Sequence, residues 1–95
     1  MQTFGIPFRP STHQTVSYTG TAGAISNATG SQTNVIRVVL TSAGYIAIGA
    51  APTATTSDIY MPANVPEYFV VSPGVKVSAV QASAGGALHV TEMTR

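Results

Sequence analysis

Nowhere in these 95 residues do apolar side chains recur at helical spacing over the roughly ten positions that a helix needs. They come in short runs, cut repeatedly by Gly, Pro, Asn and Ser. A helix buries positions three and four apart, whereas a strand turns every second side chain to the same face. Residues 34–41 (Asn-Val-Ile-Arg-Val-Val-Leu-Thr) show the second pattern most clearly. Ile36, Val38 and Leu40 take one face, and Val35, Arg37 and Val39 the other. Both faces are largely apolar, which predicts a central strand or one covered on its second side.

Similar, weaker runs occupy 15–19, 22–25, 45–48, 58–61, 67–71, 75–79 and 87–92. In the last two, Val75, Val77 and Ala79, then Leu88 and Val90, are the inward positions, with His89 and Thr91 facing out. Seven or eight short strands at about 8–12-residue spacing predict a β-sandwich or small barrel. Composition agrees: 11 Val, 6 Ile and 13 Thr stand against 2 Leu, 2 Glu and 1 Lys. β-Branched residues suit pleated strands, while Leu, Glu and Lys favour helices. Residues 41–44 predict a turn that pairs the two flanking runs as a hairpin. Ser72-Pro73-Gly74 predicts a type II turn with positive φ at Gly74.

Residues 1–14 hold Phe4, Ile6, Phe8, Pro7 and Pro10 without strand-like alternation, and predict an extended N-terminal arm on a single domain of residues 15–95. A solvated tail would not normally carry two of the chain's three Phe, so the arm is expected either to fold over its own core or to dock on a neighbour. Residues 26–33 and 50–57 predict polar loops, the first with no core signal.

The charges are few: four Lys and Arg, three Asp and Glu, and a formal net charge of +1. A soluble domain usually devotes about a quarter of its residues to these types. A surface of Ser, Thr, Ala, Gly and Asn sheds its water at low cost when another protein covers it. The chain therefore reads as one that sits against protein. Four scattered cations are too few to track a nucleic-acid backbone or hold an anionic membrane. No apolar run approaches the length of a membrane span, and the start shows no signal-peptide pattern.

Little in the sequence carries chemistry. Asp58, Glu67 and Glu92 fall at predicted strand ends and read as solvated or intersubunit charges. His13 and His89 have no His, Asp or Glu at usual ligand spacing, so no metal ligands are assigned. No catalytic residue and no cofactor are expected: no Ser lies in a nucleophile elbow, and Gly20-Thr21-Ala22-Gly23 precedes no helix that could hold a phosphate. Tyr18, Tyr45, Tyr60 and Tyr68 are read as packing at the core edge with wet hydroxyls, a carbohydrate-binding role in host adsorption being the alternative.

Pro52-Thr53-Ala54-Thr55, Pro66-Glu67-Tyr68-Phe69, Pro73-Gly74-Val75-Lys76 and the ending Leu88-His89-Val90-Thr91-Glu92-Met93 together resemble small proteins encoded among the structural genes of tailed bacteriophages. The likeness spans roughly the C-terminal half, fades before Val35 and excludes the arm. It implies a non-enzymatic virion component, foremost a capsid decoration or cement protein that stabilises the phage head, with a neck or tail subunit as the alternative. It also implies a small β-sandwich or jelly-roll-like domain, a trimer or dimer, and the major capsid protein or another virion protein as partner. The contact residues expected on that reading are Phe4, Ile6, Phe8, Pro52, Thr53 and Tyr60.

Overall fold

In a computed structural model describing residues 9–94, the short alternating runs become eight strands, with no helix among the described residues. They are β1 (Arg9–Tyr18), β2 (Gly23–Ala24), β3 (Val35–Leu40), β4 (Gly44–Gly49), β5 (Ile59–Met61), β6 (Glu67–Val70), β7 (Lys76–Gln81) and β8 (Gly86–Thr94). They form two four-stranded sheets, the first in the order β1-β8-β3-β6 and the second in the order β2-β7-β4-β5. Every ladder is antiparallel.

The order follows a single rule. β1 pairs with β8, β2 with β7, β3 with β6 and β4 with β5, as though the whole chain were one long hairpin. That double ribbon is wound so that β8 also meets β3 and β7 also meets β4. This winding is the jelly roll.

The core lies between the sheets. Ile36, Val38, Leu40, Leu88 and Val90 come from the first sheet, and Ile46, Val77, Ala79 and Met61 from the second. Val16, Ile48, Phe69 and Val71 pack against its margin. The alternation read in 34–41 holds: Ile36, Val38 and Leu40 are fully buried, while Val35, Arg37 and Val39 are half-buried on the outer face.

The expectations for the 41–44 turn, the arm boundary, Glu92 and loop 26–33 are corrected. The runs joined by residues 41–44 are not a hairpin: β3 and β4 belong to different sheets. Each has one strongly apolar face, and those faces meet across the core, so the turn is a corner between layers. Tyr18 fixes this corner, its hydroxyl donating to the Ser42 carbonyl and accepting from the Ser42 N–H at 3.2 Å. Gly86 stands opposite Tyr18 in the ladder, and a Cβ there would come within 2.9 Å of the phenol oxygen.

The boundary drawn at residue 14 also moves. Residues 9–14 are paired strand, part of β1, and a bulge between Pro10 and His13 absorbs one extra residue opposite β8. Proline cannot donate to a ladder and is confined to positions such as this edge strand. Phe4, Ile6 and Phe8 lie outside the described residues.

Glu92 lies within β8 and is only 6% exposed, not a solvated charge at a strand end. Loop 26–33 likewise contributes to the interior: Thr29 and Thr33 are buried. The Thr33 hydroxyl and the Gly30 N–H donate to Glu92 Oε1 at 2.5 and 3.0 Å. Thr29 Oγ1 accepts from the backbone N–H groups of Gly74 and Val75, bracing the turn at Pro73-Gly74. Gly74 has the expected positive φ, 85°.

Candidate interaction surface

The two sheets present different outer faces. On the second sheet, the segment after β4 folds back over the strands. The Ala54 N–H donates to Ser78 Oγ at 3.0 Å, and both residues are buried. This cover explains why β7 buries Val77, Ser78, Ala79 and Val80 in succession where alternation predicts two of the four. Asp58 holds the same segment, its Oδ2 accepting from the Thr55 N–H at 2.8 Å and the Thr55 hydroxyl at 3.2 Å. Tyr45 and Tyr60, paired in the β4–β5 ladder, meet edge to face with ring centroids 5.5 Å apart.

The large apolar side chains left most exposed among the described residues all fall between Ile59 and Val70: Ile59, Tyr60 at 55%, Val65, Tyr68 at 59% and Val70 at 86%. This segment is β5, β6 and their connection. β5 closes one side of the second sheet and β6 one side of the first, so both strands have an unpaired backbone edge. Asn64, at φ 60°, turns the chain between them, its N–H donating to the Leu40 carbonyl at 2.7 Å. Protein edges are normally blunted by charge, Pro or cover. Here Glu67 is the charged residue of β6, and it is followed by Tyr68, Phe69 and Val70.

The first sheet's outer face runs on from this edge. Ladder partners share a face, so Val70, Val35 and Met93 form one row and Tyr68, Arg37, Thr91 and His13 the next. A third row contains Val39, His89 and Thr15. Its residues are apolar or neutral polar apart from Arg37 and the two histidines.

The expected contact residues divide accordingly. Tyr60 is on the exposed apolar edge, while Thr53 is exposed and Pro52 half-buried in the covering segment. Tyr68 and Val70 are not among the contact residues expected from the sequence, although β6 reads there as a short apolar strand and Tyr68 is one of the four tyrosines weighed for carbohydrate binding. Tyr18 departs from the wet-hydroxyl reading: its ring is buried, and burial pushes its hydroxyl above the ordinary value of 10.0 despite the opposing Ser42 backbone bond. The three carboxyl groups have separate surroundings, Asp58 in its own loop, Glu67 on the edge and Glu92 in the interior. His13 and His89, remote in sequence, touch each other.

No protein-family model, curated protein or solved structure matches this chain.

Proposed function

We propose that this chain is a non-enzymatic structural subunit of a virus particle, a decoration protein that attaches to the phage head through the edge formed by β5 and β6. The observation that carries the reading is the confinement, among the described residues, of the most exposed large apolar side chains to Ile59–Val70, on two unpaired strand edges and their connection. A patch of that kind marks a binding surface and a liability if left bare. The scarcity of charge supports the same reading, because burying this edge strips water from few ions. Jelly rolls serve in capsids, but also in lectins and cupins, so the fold alone does not select the role. The phage-like motifs at 52–55, 66–69 and 73–76 flank or overlap the edge and favour the virion.

The partner on this reading is the major capsid protein, joined by further copies of the chain. Cryo-electron microscopy of the virion tests the role and the location together. Density for the domain in hundreds of copies over the head, with β5 and β6 against the shell, is the expected result. Density in a single ring at the neck would move the chain to a connector role. Absence from the particle would overturn the proposal.

A further inference from the structure

We propose that His13, His89 and Thr15 form a binding site for one divalent transition-metal ion that favours tetrahedral coordination, Zn²⁺ above all. His13 is opposite Thr91, and Thr15 opposite His89, in the β1–β8 ladder. The two imidazoles therefore occupy one diagonal of a two-by-two patch on the first sheet's outer face, a separation that aromatic side chains can bridge. Their rings stack with centroids 5.5 Å apart and planes inclined by 27°.

Three donor atoms converge. His89 Nδ1 is 3.4 Å from His13 Nε2, and Thr15 Oγ1 is 3.2 Å from each of them. Ligand atoms bound about 2.0–2.1 Å from a tetrahedral ion stand about 3.3–3.4 Å apart. Ligands at right angles, as in square-planar copper, would stand only about 2.9 Å apart. The observed triangle has the dimensions of one face of a tetrahedron, which favours zinc.

The surroundings also suit a metal. An ion on His13 Nε2 requires the proton on Nδ1, and Thr91 Oγ1 lies 2.8 Å from that nitrogen, placed to accept it. Such a partner orients a ligating imidazole and fixes its tautomer. Thr91 is itself buried, so the arrangement is held from below. His13 and Thr15 are exposed and leave the outward side open to water as the fourth ligand. No third His, Cys or carboxyl joins the pair among the described residues, so the site has two strong donors and one weak one. It lies at the β1–β8 side of the sheet, opposite the β6 edge, and does not depend on the role proposed for that edge.

The test titrates the full chain with Zn²⁺ alone, following heat and the imidazole C–H proton resonances. The expected result is saturable binding of one ion per chain, with both histidine signals shifting together. His13→Gln and His89→Gln, each checked for an unchanged β-sheet circular dichroism spectrum, should each weaken binding about tenfold or more. Co²⁺ should give the intense visible bands of a tetrahedral site. Histidine signals that stay still in the unmodified chain would overturn the proposal, as would undiminished binding by a His13→Gln/His89→Gln double variant. Unchanged affinity in Thr15→Val would overturn the three-donor arrangement.

Discussion

Glu92 stands opposite Ile36 in the ladder between β8 and β3, which places a carboxyl group on the core-facing side of the first sheet. Its Oε1 accepts from the Thr33 hydroxyl and the Gly30 N–H, so it ties loop 26–33 to the end of the sandwich. Buried polar groups cost little when bonded and much when orphaned. Glu92→Ala removes the shared acceptor and should destabilise the domain by about 1–3 kcal/mol. Glu92→Gln keeps an oxygen and nearly the same shape, and should retain more of that stability. Urea unfolding of the two variants beside the parent checks the order. Equal losses would mean that the charge, and not the acceptor, matters there.

A second interior group responds to pH. Burial raises the Tyr18 hydroxyl above 10.0, with the backbone bond to Ser42 opposing in part. The unfolded chain therefore releases this proton first as pH rises. The stability that Tyr18 contributes is intact below its unfolded value and drains away as pH climbs through the higher folded one. Tyr18→Phe should lower stability near neutrality by about 1–3 kcal/mol, since Ser42 loses a donor and an acceptor. It should also flatten the alkaline decline. Unfolding midpoints of both proteins between about pH 8 and about pH 11 give the comparison. A parallel decline would remove Tyr18 as its source.

Local pattern carried the strands well and their pairing poorly. The alternation of 34–41 and the positive φ at Gly74 depend on near neighbours, and both appear in the fold. The corner at 41–43 reads as a hairpin turn because two strands that each have a strongly apolar face can pair side by side or stack across a core. Nothing within either strand decides between these. Glu92, Thr29 and Thr33 read as surface residues because each is polar, and their shelter comes from a loop folded over the end of the sandwich. The His13–His89 contact joins residues 76 positions apart. Only the pairing of the first strand with the last brings them together, so ligand spacing along the chain could not reveal it.

The segment covering the second sheet supplies a third prediction. Ser78 Oγ accepts the Ala54 N–H in a buried setting. Ser78→Ala leaves that N–H without its acceptor and should cost about 1–3 kcal/mol. The loss should be local first, with amide hydrogen exchange accelerating across residues 50–58 before the core strands respond. Uniform acceleration through β3 and β8 would show instead that Ser78 supports the whole sandwich. Because this segment leads into β5, loosening it should also weaken any binding that uses Tyr60.

The exposed edge gives the prediction that separates binding from folding. Val70 is 86% exposed and Tyr68 59% exposed, so neither supports much of the core. Replacing both, as Val70→Lys and Tyr68→Ser, should change folding stability by no more than about 0.5 kcal/mol per site. On a docked edge the same residues are desolvated, and a buried Val side chain alone is worth about 1.5 kcal/mol or more. Attachment to particles should therefore weaken about tenfold or more in the pair, since about 1.4 kcal/mol is a factor of ten in affinity. Binding by the parent should change little with added salt, because the edge and the adjoining face contain few charges to screen. Sedimentation of particles with each variant, at low and high ionic strength, reads both effects at once. Full occupancy by the double variant would move the contact away from β6. A steep loss of parental binding in salt would assign the attachment to the chain's few charges, Arg37 among them, and not to its apolar edge.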